Sequence, residues 1–355
     1  MRDPASILRM QPALTDLGRY CGHPGALDNL DYFLSWLDAR RKSPCMVMLA
    51  RGLDAEPSSI KAQAGMLLYE HRIADFGMRI FTSFDNTGRR TLVPASIDSS
   101  QFAQLVCRTL LDHGAQSILL SFRHEGPALT EVLNGSGYVL RWATRERVIP
   151  GYLQLKKTLE ETLAQMGART RNHLRYYRRR AEKDLGCEFI SEAKISRQDF
   201  LELNRISAYP SPDEIAAWKY DSCQEIRQSV LSGLRDRNGR WLSLVGGLHA
   251  DRNMEMFWQI NRHDMKPYSL GTVMRSFLIE HELNRGTRRL YFEGGTSHSM
   301  SHSFVQEKCT DLFVLRDNPI ARQIPALFKR YVPKENPVNE FLEDTTLEWK
   351  TTTRR

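Results

Sequence analysis

Long hydrophobic runs are what this 355-residue chain most plainly lacks. No apolar stretch approaches the ~20 residues a membrane helix needs. The opening MRDPASILRMQPALTD has no continuous apolar core of the kind a signal peptide carries, so a cytoplasmic protein is expected. Cysteine is sparse and scattered: Cys21, Cys45, Cys107, Cys187, Cys223 and Cys309 form no CxxC pair and no regular spacing. That argues against a zinc site or a disulfide framework and fits a reducing compartment. An HExxH motif is also missing, as are a residue-level repeat and any recognisable RNA- or DNA-binding module.

What is present is an ordinary soluble composition, 41% hydrophobic and 26% charged, which excludes global disorder. At about 100–200 residues per domain the length suggests two domains. The net charge of +8 is local. Residues 1–150 hold 17 basic against 15 acidic side chains, and the remaining excess matches one stretch, RTRNHLRYYRRRAEK at 169–183. Arg171, Arg175 and Arg178 recur there at helical spacing and share a face. A solvated charged face is the default explanation, but like charges one turn apart cost stability unless something anionic faces them. CoA phosphates, an acidic glycan or lipid headgroup, and tRNA are the candidate anions.

Periodicity predicts strands at 45–51, 64–73, 77–84, 116–122 and 138–148, with a helix at 99–114, a polar turn at 85–90 and a short helix at 126–134. Pro150-Gly151 is expected to end this half. The second half begins with one long helix, 158–185, and continues with strand 187–191 and helices 197–207 and 214–235. Strands 241–250 and 254–262 form a hairpin, helix 271–285 stops at Asn284-Arg285-Gly286, and strands 288–293 and 310–316 complete the unit. His281 continues the apolar face of helix 271–285 and reads as a hydrogen-bonded core histidine. The polar tail after Pro337 is expected to be unstructured. Both halves repeat the order strand, strand, loop, long helix, strand, short helix, strand.

The segment 254–295 is the most informative. A strand runs into a loop ending Ser269-Leu270-Gly271-Thr272, where a helix begins. The first turn of a helix carries unpaired N–H groups and partial positive charge, so a loop wrapped onto it could cradle a pyrophosphate. Gly271 would admit close backbone approach, and Ser269 or Thr272 could cap the helix or touch phosphate. The alternative is a plain strand–loop–helix connection with a serine cap.

Three pieces carry a family resemblance: the Arg-rich helix ARTRNHLRYYRRRAEKDLG at 168–186, the PYSLG turn at 267–271, and YFEGGTSHSMSHSF at 291–304. Over residues 150–316 the chain resembles the GNAT acyltransferase superfamily. Within it, the resemblance is to the branch holding Fem-type aminoacyltransferases and acetyltransferases associated with cellulose and exopolysaccharide synthesis. It implies an α+β (mixed α/β) fold of two tandem GNAT-like domains. Residues 1–150 would be a degenerate, supporting or substrate-recognition domain, 151–335 the acyl-donor-binding domain, and 336–355 a tail. Two departures stand out: His298-Ser299 where relatives often carry Tyr-Lys, and Leu270 where many have Pro. The first-half loop 85–97 lacks a Gly-x-Gly helix entry, so that half is expected to bind no cofactor.

The activity implied is direct transfer of an acyl group from acyl-CoA to an amine of a sugar, amino acid or related metabolite, with no metal. Such chemistry needs a backbone N–H to polarise the thioester and a base near the amine. Glu293 is the first candidate base, followed by His298 and His302; Ser299 could donate to sulfur. Each has another reading: Glu293 as an exposed strand-end carboxylate or a helix-capping partner, and His298 and His302 as an i, i+4 metal pair, which no HExxH motif or partnering carboxylate supports. Tyr268, Ser269, Leu270, Gly271, Thr272, Arg175 and Arg178 are the candidate donor-binding residues. His263 and Asp264 are expected on the surface. A Fem-type enzyme using aminoacyl-tRNA is the alternative, although the chain shows no long heptad-patterned hairpin. A pure nucleic-acid-binding protein, which explains the glycine loop poorly, is a third reading, and the missing Tyr-Lys pair leaves a catalytically inactive GNAT-like scaffold as a further one.

Overall fold

The computed structural model describes residues 1–23, 25–51, 60–73, 78–85, 89–123, 137–292, 300–319, 321–331, 337–344 and 346–352. In chain order these form α1 (Pro4–Leu8), α2 (Gln11–Tyr20), α3 (Leu30–Ala39), β1 (Ser43–Arg51), β2 (Lys61–Ile73), β3 (Met78–Ser83) and β4 (Thr91–Leu92). Next come α4 (Ser99–Asp112), β5 (Ser117–Arg123), β6 (Leu140–Gln154), α5 (Leu159–Ala164), α6 (Ala168–Leu185), β7 (Glu188–Ile190), α7 (Arg197–Arg205) and α8 (Asp213–Glu225). The chain continues through β8 (Ser229–Arg235), β9 (Trp241–Ala250), β10 (Asn253–Asn261), α9 (Leu270–Arg285) and β11 (Arg289–Phe292). It ends with β12 (Val305–Arg316), α10 (Ile324–Tyr331), α11 (Pro337–Leu342) and β13 (Lys350–Thr351). Contacts divide the chain into one unit of Met1–Ile149 with Glu307–Arg355, and a second of Pro150–Gln306. Among the described residues no helix is long and apolar enough to cross a membrane.

In the first unit the sheet order is β1-β2-β3-β5-β12-β6. The first three strands are antiparallel neighbours, β3 and β5 run parallel, and β12 is antiparallel to β5. The strands alternate between two cores, as a period of two requires. Ile118, Leu120, Leu312 and Val314 pack with Phe102, Val106 and Leu110 of α4. Ile80, Leu119, Phe313 and Leu315 face the other way, onto Ile324 of α10 and Val338 and Phe341 of α11. Here the structure corrects two expectations. The strand at 310–316, read as the end of the second domain, starts at Val305 and pairs with β5 of the first unit. The tail is not unstructured: Phe341 is fully buried 5.3 Å from Phe313, and Thr352 accepts a hydrogen bond from the Leu140 N–H. A strand buried on both faces needs a second apolar cover, and the chain's last residues supply it.

One buried base gives this unit a pH dependence. Burial and the neighbouring Lys42 ammonium hold the His71 imidazole down at about 4. The unfolded chain therefore takes up a proton near pH 6.5 that the folded chain refuses until about pH 4, so stability falls as pH drops through that window. A urea midpoint that declines across it in wild type, and declines less in His71→Gln, is expected. Identical slopes for the two proteins would refute the assignment.

The second unit is built on β8, β9 and β10, an antiparallel meander, with β10 parallel to β11 and the last residues of β6 antiparallel to β11. β7 pairs with β8. On one face, Val273, Met274 and Leu278 of α9 and Leu174 and Ala181 of α6 cover Met254, Met256 and Leu290. On the other, Phe200 and Leu203 of α7 and Ala216 of α8 cover Leu244, Trp258 and Ile260. The order three antiparallel strands, helix, parallel strand thus occurs twice, as β1-β2-β3-α4-β5 and β8-β9-β10-α9-β11. Among the described residues this is the tandem, mixed α+β organisation expected from the resemblance.

Three local expectations fail in this half. Pro150-Gly151 does not end the strand; β6 runs through to Gln154, its pairing with β11 confined to Leu153 and Gln154, so Pro150 disturbs no bond of that ladder. The single helix 158–185 is two helices, broken where Gly167 takes an extended ψ of 148° as the N-cap of α6. Residues 229–235, read as helix, form β8, whose five central residues are buried. A short buried segment following a helix without Pro has no periodicity of its own to separate it from that helix. The short helix expected at 126–134 lies outside the described residues.

Candidate functional site

The site is set up by an irregularity in β10. Its register with β9 pairs Met256 with Gly247 and Trp258 with Gly246, leaving Phe257 as an extra residue, a β-bulge. A Cβ on Gly247 would fall inside the Glu255 carbonyl, and one on Gly246 inside the Trp258 ring. The Gly246-Gly247 pair is therefore what lets the bulge lie against β9. The described parallel register with β11 ends at Met256 and Phe292, and β10 continues to Asn261. The carboxyl end of β10 is secured from outside the meander: the Ala208 N–H donates to the Asn261 carbonyl at 3.1 Å and the His263 N–H to Ile206 at 3.0 Å.

Residues 263–268 form a 3-10 turn, after which Ser269 adopts a left-handed φ of 49° and α9 begins. The Thr272 and Val273 N–H groups donate to the Ser269 carbonyl at 2.8 and 3.2 Å, and the Ser269 and Thr272 hydroxyls share a hydrogen bond of 2.9 Å. Leu270 is only 3% exposed and belongs to the core, so its side chain offers nothing to a ligand. Gly271 lies over β10: an added Cβ would meet Asn261 Nδ2 at 3.5 Å and Gln259 Nε2 at 3.6 Å, ordinary contacts. The N-terminus of α9 thus stands at the carboxyl end of a strand parallel to its neighbour, where open α/β sheets place ligands.

The arginine helix contributes differently from what its spacing suggested. Arg178 packs 4.0 Å over Phe277 and pairs with Glu280 at 2.6 Å and Glu182 at 3.0 Å. Arg175 pairs with Glu160, and Arg171 donates to the Met166 carbonyl at 2.6 Å. The chain supplies its own anions for these charges. Arg180 is the member that reaches the turn, donating to the Pro267 carbonyl at 3.1 Å with its guanidinium 5.0 Å from the Tyr268 ring. Sequence spacing did not single it out.

Tyr268, Ser269, Leu270, Gly271 and Thr272 are therefore together at one end of the unit, and Arg175 and Arg178 bear on Glu160 and on the middle of α9 instead. Glu293, His298 and Ser299 lie outside the described residues. Asp264 is exposed and paired with Arg262 at 2.7 Å, and His281 is half-buried against Phe189. A buried carboxylate on α9 escaped the sequence reading. Glu282 is fully buried, and although burial opposes its charge, His249 at 2.9 Å and the Thr287 hydroxyl at 2.5 Å hold its pKa below the usual value. It sits in the last turn of α9, away from the helix N-terminus, and ties that helix to β9. Gln259 and Arg275 were also missed. Gln259 Oε1 and Arg275 Nε are buried with no hydrogen-bond partner. An arginine beside a Phe on an otherwise amphipathic helix carries no signal of that kind.

No family model matches the sequence, and no curated protein matches it. Among solved structures the chain is similar to FemX, with a TM-score of 0.51 and 10% identity over 78% of this chain and 90% of that one. It is also similar to L-PGS from Bacillus licheniformis, with a TM-score of 0.50 and 11% identity over 88% of this chain and 94% of that one. At such identities the likeness is one of fold alone.

Proposed function

We propose that the chain is an acyltransferase that moves an acyl group directly from acyl-CoA to the amine of a sugar, amino acid or related metabolite. The observation that carries this reading is the bulged β10 ending beside the N-terminus of α9. Phosphate oxygens would sit on the first N–H groups of α9, those of Leu270 and Gly271, and β10 beyond Met256, where its described pairing with β11 has ended, would offer an N–H to the thioester carbonyl. The neutral amine attacks that carbonyl, the C–S bond breaks, and the thiolate takes a proton. Glu293 is proposed as the base, with His298 and Ser299 as further candidates for proton transfer. The first unit would support the second or recognise the acceptor.

A second reading, transfer from aminoacyl-tRNA, is favoured by the fold likeness to FemX. Against it stands the pairing of Arg175 and Arg178 within the chain, which leaves them little charge for RNA phosphates. Calorimetric titration of the full chain with acetyl-CoA, longer acyl-CoAs and charged tRNA separates the two. CoA binding that is lost in Gly271→Trp, whose indole would occupy the space above Gln259 and Asn261, is expected. Binding of charged tRNA without a CoA signal would replace the first reading with the second, and binding of neither would leave an inactive scaffold.

A further inference from the structure

We infer that the carboxyl ends of β10 and β11 hold a free carboxylate on Arg275, the acceptor being a small amino-acid-like molecule. This deepens the transferase reading and rests on it for the word acceptor. Arg275 lies one turn beyond Gly271 on α9, and residues four apart share a helix face. Its guanidinium is 5.8 Å from the Phe292 ring at the end of β11, and Phe292 stacks on Phe304 at 5.4 Å. Its Nε is buried without a hydrogen-bond partner, and among the described residues no carboxylate pairs with it. Arg178, on the neighbouring helix, has two carboxylates for one guanidinium.

A desolvated, unpaired guanidinium is costly, and burial indeed pulls the Arg275 pKa down to about 10. The planar fork of arginine matches a carboxylate in two parallel hydrogen bonds. A pyrophosphate, more highly charged and hydrated, is better served by the first turn of α9 than by a desolvated guanidinium lying against the Phe292 ring. Gln259 supplies a complementary group. Its Nε2 donates to Asn261 Oδ1 at 2.9 Å, which fixes the orientation of the amide and leaves the buried Oε1 as an unused acceptor for an amine N–H.

Thermal unfolding of the full chain, alone and with individual L-amino acids, their carboxamides, inorganic phosphate or CoA, tests this. Arg275→Met is expected to melt higher than wild type without ligand, because an uncompensated charge is removed; a merely structural arginine would lower it. At least one amino acid is expected to raise the wild-type Tm by several degrees, its carboxamide to do less, and Arg275→Met to lose the shift. An Arg275-dependent shift with phosphate or CoA but with no amino acid would overturn the carboxylate assignment, as would shifts that ignore Arg275. Failure of CoA to bind in calorimetry, with the amino-acid shift intact, would remove the donor reading and keep the subsite.

Discussion

Replacing Gly247 with alanine is expected to cost about 3 kcal/mol or more, the upper end of what overpacking does. The neighbour its Cβ would strike is the Glu255 carbonyl, a backbone atom within the β9–β10 ladder, so no side-chain rotation relieves the clash. For a unit of this size such a loss lowers Tm on the order of 10 °C. Gly246→Ala meets the Trp258 ring instead, a side chain 7% exposed and held edge-on by Phe200 at 5.6 Å, and its loss should be of similar order. Gly271→Ala is the control: its Cβ has room, and its Tm should match or exceed wild type because alanine suits a helix better than glycine. Scanning calorimetry of the three variants decides it. A Gly247→Ala protein melting with wild type would mean that the bulge does not lie where these glycines put it.

Asp311→Ala is expected to destabilise the first unit by about 3–5 kcal/mol, the range seen when one partner of a buried ion pair is removed. Asp311 is 2% exposed and accepts from Arg147 at 2.7 and 2.9 Å, from Arg145 at 2.9 Å, and from the Ser121 hydroxyl at 2.8 Å. Without it the two guanidiniums on β6 lose their buried carboxylate and keep the more exposed Glu340 near both. Glu340 is half exposed and should matter far less, under about 1 kcal/mol for Glu340→Ala. Urea unfolding of both variants gives the comparison. Equal losses would show that the charge of this cluster is balanced by solvent and not by Asp311.

The same residues show what the sequence made legible. Val273, Met274 and Leu278 recur at helical spacing and end at Gly286, so α9 was readable from Leu270 to Arg285 with its start misjudged by one residue. The loop that joins β10 to α9 was readable too. The Gly-Gly of β9 was visible but silent, because its meaning depends on a bulge in the next strand. The seven basic residues of 169–183 were visible and misleading: Glu182 pairs with Arg178 from within the same helix, and Glu160 and Glu280 come from α5 and α9.

By itself the sequence determined most of the local elements and their order, because backbone periodicity and turn chemistry act over neighbouring residues. Tertiary structure alone decided the partners of distant segments. It set β12 beside β5, turned the last residues into the cover of a second core face, gave Asp311 its two arginines from about 165 positions away, and left Arg275 Nε buried with no hydrogen-bond partner among the described residues. Burial and charge compensation depend on which distant groups meet, and no local pattern encodes that meeting.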